Sequence, residues 1–446
     1  MRRLRGTFGH PARIIPAGFL GIITIGTVLL SLPISSRPEG GPPLLVAAFT
    51  SVSATCVTGL IVVDTPSYWT PFGQGVILAL IQVGGFGIMT GASLLGLLVA
   101  RRLGLATRLR TQHETRTLGL GDVRQVVLRV AVLIVACEAV LTAVLAVRFL
   151  TEYDYPPRTA LWHGFFHAVS SFNNAGFALY PNNLIRFVTD WWICLPICMG
   201  VVVGGIGFPV VLELRRAWRR PRSWTIHTKL TVGMTVLLLL LGFGAFMVFE
   251  SGNRATLGQL EGADRILAAI TQSVMPRTAG FNTVEIGFLR SETLAVSDAL
   301  MFIGGGSAGT AGGIKVTTFS LLAFVILAEV RGQRDVTVGT RRVDPRAQRQ
   351  ALTIALLSVA VVAMGTMALL ADNRFSLDTV LYEAASAFGT VGLSTGITAD
   401  LVPRSQWVLI ALMYVGRVGT ITAATALALR SRDRLYRWPE ERPIVG

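Results

Sequence analysis

Four tripeptides closed by glycine, Val57-Thr58-Gly59, Asn174-Ala175-Gly176, Thr278-Ala279-Gly280 and Thr390-Val391-Gly392, recur 104 to 117 residues apart. Each follows a largely apolar stretch (43–55, 160–172, 264–275 and 378–388) of about a dozen residues, short of the roughly 20 that a membrane-crossing helix needs. Such a stretch is expected to enter the membrane and return. Glycine at its tip admits backbone conformations closed to other residues, so carbonyl oxygens can turn inward and replace the water shell of a cation. One such run reads equally well as a buried helix with a glycine cap. Four at a near-constant interval mark an internally repeated architecture. The chemistry predicted is cation coordination by backbone oxygen, with no bond made or broken.

The elements that must position these tripeptides lie in a membrane. Of the 446 residues 52% are hydrophobic and only 15% charged, too apolar for an ordinary soluble chain. Eight stretches (14–32, 74–100, 126–150, 191–214, 230–249, 295–329, 351–371 and 407–429) are long and apolar enough to cross. The first follows Met1-Arg2-Arg3-Leu4-Arg5 but has too long an apolar run for a signal peptide, and it reads as a retained helix. The net charge of +15 does not point to nucleic acid, because the arginines fall in alternate loops. They follow the second span (Arg101, Arg102, Arg108, Arg110, Arg116, Arg124), the fourth (Arg215, Arg216, Arg219, Arg220, Arg222, with Lys229), the sixth (Arg331, Arg334, Arg341, Arg342, Arg346, Arg349) and the eighth (Arg430, Arg432, Arg434, Arg437). The positive-inside rule places these loops and both termini in the cytoplasm, with the re-entrant loops opening outward. Anionic lipid headgroups are a second destination for that basic surface.

The expected fold is all-α and integral to the membrane: four tandem helix–pore helix–helix repeats around a pseudo-fourfold pore, with eight spanning helices. The repeats are placed at 1–124, 125–225, 226–346 and 347–446, with pore loops at 43–60, 160–177, 264–281 and 378–393. A second signal recurs 24 to 28 residues beyond each tripeptide glycine: Val83-Gly84-Gly85-Phe86-Gly87, Val203-Gly204-Gly205-Ile206-Gly207, Ile303-Gly304-Gly305-Gly306-Ser307 and Val415-Gly416-Arg417-Val418-Gly419. Close helix packing accounts for part of this. It leaves out Arg417, which stands where the other clusters have glycine, and the long third run. That run continues through Ala308, Gly309, Thr310, Ala311, Gly312, Gly313 and Ile314 to Lys315. It formally contains GxGxxG, but it interrupts a membrane span and lacks the strand–turn–helix setting of a dinucleotide site. A helix broken at membrane depth must be buried in protein or line a cavity, so a flexible polar insert below the tripeptides is a natural gate. A guanidinium at mid-span, about 2.5–3.5 kcal/mol unfavourable in lipid, should face that same cavity.

The remaining polar residues read as structural. His163 and His167 have metal-compatible spacing but no third ligand nearby, and are expected to support the pore loop. Glu383 in the fourth pore helix reads as an ion site or, in preference, as a structural acceptor for backbone amides of its own loop. Cys56, Cys137, Cys194 and Cys198 read as small buried hydrophobes rather than disulfides or a metal site.

The segments VSATCVTGLIVVDT (52–65), FHAVSSFNNAGF (166–177), PRTAGFNT (276–283), the 304–318 run, AFGTVGLSTGIT (387–398) and Gly416-Arg417-Val418-Gly419 together resemble the Trk/Ktr/HKT superfamily of cation transporters across all four units. With no additional helix pair before the first unit, the chain is more similar to the KtrB type of membrane subunit than to the longer TrkH type. The resemblance implies potassium uptake across the cytoplasmic (inner) membrane, with K+ held at the tripeptides and Gly59 favouring it over Na+. It implies a gate in the third inner-helix loop and a homodimer with one pore per subunit. It also implies a cytosolic KtrA-like ring that carries the regulatory nucleotide; no cofactor other than the cation is expected on this chain. Sodium- or proton-coupled symport is the alternative within transport, and an enzyme would need a polar triad or metal cluster that the spans lack.

Overall fold

The computed structural model describes residues 11–102, 123–339, 341–372, 374–419 and 441. Its helices run α1 (Pro11–Leu30), α2 (Leu44–Thr55), α3 (Pro71–Arg102), α4 (Val123–Thr151), α5 (Pro157–Phe172), α6 (Trp191–Ile206), α7 (Phe208–Ala217), α8 (Ile226–Glu250), α9 (Gly262–Val274), α10 (Ser291–Phe302), α11 (Val316–Val330), α12 (Pro345–Asp372), α13 (Leu377–Gly389) and α14 (Pro403–Tyr414). Four are individually long and apolar enough to cross a membrane: Pro71–Gly91, Val127–Thr151, Ile226–Glu250 and Pro345–Asp372. Their outward faces are apolar and open, as at Val248 (73% exposed) and Met367 (69%). A soluble protein does not display such a surface; it suits contact with lipid. The protein is a multi-pass membrane protein.

The short helices α2, α5, α9 and α13 are the four predicted re-entrant stretches, within three residues of the expected boundaries. Their carboxyl halves are enclosed by protein: every residue of α2 from Ala47 to Thr55 is buried, as are residues 166–172 of α5, 271–274 of α9 and 382–389 of α13. Small and hydroxyl-bearing side chains make this possible by letting the long helices close around them. Gly26 of α1 packs against Ser51 of α2, and Gly242 of α8 against Ser273 of α9.

Two expectations need correction. The stretch 191–214 is not one straight span: it breaks between α6 and α7 with a bend of 103°. Pro209 has no N–H to offer Gly205 four residues back, and Gly207 takes φ +91° at the corner. The tripeptides do not form the extended filter strand that a helix–pore helix–strand–helix unit would have; they are irregular, because their φ angles change sign from residue to residue. Among the described residues the regular strands form only a small antiparallel hairpin, Thr337–Val338 with Arg341–Arg342. The stretch 295–329 breaks as expected, into α10 and α11 with the 303–315 segment between. Most of the 101–124 loop and the end of the predicted eighth span beyond Gly419 lie outside the described residues.

Candidate functional site

The carboxyl ends of the four short helices deliver the four tripeptides to one place. A helix carries partial negative charge at that end, which favours a cation there. The first tripeptide residue is left-handed in every case, Val57 (φ 55°), Asn174 (61°), Thr278 (68°) and Thr390 (48°), and so is the closing glycine, Gly59 (96°), Gly176 (70°), Gly280 (74°) and Gly392 (95°). The middle residues Thr58, Ala175, Ala279 and Val391 are not. Positive φ at β-branched residues such as Val57, Thr278 and Thr390 is strained and persists only where the surroundings enforce it. Amides supply that enforcement: Thr58 N–H donates to Ser53 O (2.7 Å), Ala175 to Ser170 O (2.7 Å), Ala279 to Met275 O (3.0 Å) and Val391 to Ser386 O (2.8 Å). The N–H groups of the middle residues are thus turned back to the preceding helices.

Serine six residues before the glycine recurs in three units, a signal the sequence reading missed. Ser53 Oγ donates to Leu60 O and accepts from Gly59 N–H, Ser170 Oγ donates to Phe177 O, and Ser386 Oγ accepts from Gly392 N–H. The third unit has Val274 there. Its brace is Arg277, which donates to Thr235 O and Gly304 O, both at 3.1 Å.

The glycines close the four segments into a ring. A Cβ at Gly59 would strike Ala175 O; at Gly176, Gly280 Cα and Ala279 O; at Gly280, Val391 O; and at Gly392, Thr58 O. Each segment thus meets the next in cyclic order, and the last meets the first. On the glycine side the ring opens into a cavity of about 320 Å³ lined by all four glycines. Asp64 and Glu285, neither singled out from sequence, also line it; carboxylates at such a mouth concentrate cations.

On the opposite side, against the first tripeptide residues, lies the 303–315 segment. Its ends are pinched together by Gly304 N–H to Ile314 O (2.9 Å), Ile314 N–H to Phe302 O (3.2 Å) and Val316 N–H to Gly305 O (3.0 Å). Gly306 N–H donates to Gly205 O (2.8 Å), the carbonyl that Pro209 leaves without a helical partner, and Thr310 N–H donates to Gly204 O (3.1 Å). Ser307 and Thr317 hydroxyls are 3.1 Å apart, and Lys315 Nζ donates to Ala311 O (2.5 Å). Ala308 and Gly313 turn through positive φ, Gly309 presses on the Gly204 and Gly205 carbonyls, and Gly312 abuts Thr390. Nearly all of this non-helical backbone is buried in protein, as membrane depth requires.

Arg417, 2% exposed, sits in a five-residue π-helical turn (Val415–Gly419) and donates to Thr310 O. Its Nε and Nη2 have no hydrogen-bond partner among the described residues. The glycines before it in each cluster serve packing: a side chain at Gly84, Gly204 or Gly416 would strike the carbonyl of Thr55, Phe172 or Phe388 at the end of the adjacent short helix. At Gly304 the atom met is Gly312 O, within the loop itself.

Other polar residues brace the ring from behind. Buried Glu138 of α4 accepts from Gln82 Nε2 (3.1 Å) and Asn173 Nδ2 (3.0 Å), a network the sequence reading passed over although an acid in a span is itself a signal. Glu138→Leu is expected to leave the half-buried Gln82 Nε2 without this partner, at about 1–3 kcal/mol, while Asn173 Nδ2 keeps Gln82 Oε1 and Val169 O; the melting temperature in detergent should fall, and an unchanged melt would show the network carries no stability. His167 pairs with His163 O (2.7 Å) and accepts from Leu179 N–H (3.3 Å), while Glu383 accepts from Thr395 N–H and from the Ser394 and Thr398 hydroxyls. Cys56, Cys194 and Cys198 are buried and Cys137 is half-buried, all as free thiols.

Four short helices whose carboxyl ends meet in one closed ring of backbone, inside a scaffold faced with apolar side chains, are the architecture of a membrane transport protein. The model of the TrkH cation transport protein family matches residues 17–436. Ktr system potassium uptake protein B of Bacillus subtilis is 36% identical over 438 residues, covering 98% of this chain and 97% of its own. The protein of the same name from Vibrio alginolyticus is 34% identical over 446 residues, covering 100% and 97%. The potassium/sodium uptake protein NtpJ of Enterococcus hirae is 31% identical over 442 residues, covering 98% and 97%. The crystal structure of the potassium transporter TrkH from Vibrio parahaemolyticus shares the fold, with TM-score 0.68 at 21% identity over 91% of this chain and 84% of that one. The chain belongs to the TrkH cation transport protein family, a family of transporters rather than enzymes.

Proposed function

We propose that this chain is the ion-translocating subunit of a Ktr-like system and carries potassium into the cell down its electrochemical gradient. Its four units each contribute two crossings, eight in all, around one pore. The ring closure of the tripeptides carries the reading: strained, alternating backbone held with N–H groups outward leaves carbonyls of Val57, Thr58, Asn174, Ala175, Thr278, Ala279, Thr390 and Val391 for a dehydrated K+. With the inside negative, the potential contributes about 2.3 kcal/mol per charge per 100 mV. The segment from Gly304 to Lys315 and Arg417 act as the gate beneath. Exposed arginines at 215–222 and 331–349 support cytoplasmic placement of those loops in the inner membrane, with both termini inside. A homodimer on a cytosolic nucleotide-binding ring completes the system; the word "system" in the names of the Ktr relatives is the motive for a partner subunit.

The test is potassium flux into proteoliposomes at an imposed potential, with and without a sodium gradient. Flux driven by potential alone supports the pore; flux that requires a sodium or proton gradient supports symport, for which the potassium/sodium name of the Enterococcus relative is the motive. Gly59→Ser is expected to reduce the preference for K+ over Na+, because its side chain must be accommodated against Ala175 O and adds a hydroxyl oxygen. Equal permeability ratios in parent and variant would remove Gly59 from the filter.

A further inference from the structure

Thr310 is bonded at every polar atom it has. Its N–H goes to Gly204 O and its carbonyl accepts from Arg417. Its hydroxyl donates to Phe172 O (3.3 Å) and lies 2.8 Å from the side-chain amide of Asn174. The hydrogen-bond network assigns the orientation of that amide: with nitrogen toward the loop it donates to Thr310 Oγ1 (2.8 Å), Val201 O (3.2 Å) and Phe172 O (3.3 Å), whereas the flipped form sets oxygen against oxygen. Both residues are buried, Thr310 at 0% and Asn174 at 1% exposure. The Asn174 oxygen then faces the Thr278 hydroxyl at 3.4 Å, in the neighbouring tripeptide. The corresponding positions in the other three units hold Val57, Thr278 and Thr390, none with a carboxamide. One ring residue alone therefore reaches the loop with an amide.

We propose that Thr310 and Asn174 form a latch by which the position of the loop sets the orientation of a ring side chain, making Asn174 a specificity-determining residue. With the loop seated, the amide nitrogen is held by Thr310 and two helix carbonyls. When the loop withdraws, Thr310 leaves with it and the carboxamide keeps only the longer contacts to Val201 O and Phe172 O, which frees it to turn its oxygen toward the ion path as a further ligand below the backbone carbonyls. Ion preference and opening are then coupled through one hydrogen bond. This rests on the reading of the 304–313 segment as a gate.

The experiment compares the full-length parent, Thr310→Val, Thr310→Ser and the deletion of Gly305 to Gly312 in proteoliposomes, measuring basal K+ flux and the K+/Na+ permeability ratio after a melting check. Thr310→Val is expected to raise basal flux about three- to tenfold, the loss of one hydrogen bond, and to shift the ratio. Thr310→Ser, which keeps the hydroxyl, should stay nearer the parent on both readouts. Higher flux at an unchanged ratio overturns the coupling, since a mere seat for the loop moves flux alone. If the deletion raises flux while Thr310→Val matches the parent, the latch fails and the gate stands. If the folded deletion variant transports no faster, the gate reading fails and takes the latch with it. Should Thr310→Val not fold, Thr310→Ala removes the same hydroxyl without adding a methyl and is read identically.

Discussion

Gly392→Ala is expected to cut potassium flux at least ~100-fold in a protein that still folds. The glycine holds φ +95° where the ring closes, and a methyl there would be driven into Thr58 O of the first segment. Backbone strain of this kind is about 1–3 kcal/mol, and the collision adds to it at the point where the last unit meets the first. Either the ring splays or the Thr58 carbonyl rotates out of the path, and a bare cation loses its ligands in both cases. Gly40→Ala is the control, since Gly40 has similar φ (+87°) but nothing within 4 Å of an added methyl. Proteoliposome flux should collapse for the first variant and hold near the parent for the second. Normal flux through Gly392→Ala would mean that the ion does not pass the ring.

Arg417→Gln is expected to raise maximal flux on the order of tenfold and to loosen closure. Two unit charges 4 Å apart repel by about 4 kcal/mol at an effective dielectric of 20, and a third of that is about tenfold in rate. The guanidinium is buried, and among the described residues it is bound to the loop through one hydrogen bond, to Thr310 O. Glutamine removes the charge and, being shorter, holds that carbonyl less well. Arg417→Lys keeps the charge without the planar fork, so it separates repulsion of the ion from retention of the loop. Parent-like flux and gating in a folded Arg417→Gln protein would take the residue off the pathway.

Much of the site was legible because its parts are local. Glycine at a tight tip, a short apolar stretch before it and a charge in an apolar span each leave a mark on the residues themselves, so the tripeptides, the 303–315 break and Arg417 could be located by pattern. The break at Gly207 was legible too, in Pro209 and its missing N–H, but was read through as a continuous span because hydropathy does not register a lost donor. The serines at Ser53, Ser170 and Ser386 were present at constant offset and overlooked, since a hydroxyl in a small-residue helix looks like packing.

Composition and periodicity by themselves determined that the chain lies in a membrane, where its polar turns fall and which residues occupy them, because bilayer thickness and the cost of unpaired backbone act on each segment separately. Only the tertiary structure decided which groups face one another. The left-handed turn of Val57, Asn174, Thr278 and Thr390 is enforced by amides committed to the preceding helices, and the cyclic contact of glycine with carbonyl exists only when segments 104 to 117 residues apart converge. The hold of Gly204, Gly205, Asn174 and Arg417 on the loop has the same origin. Such contacts satisfy buried donors and acceptors across distant parts of the chain, and no rule of local spacing encodes which partner each of them will find.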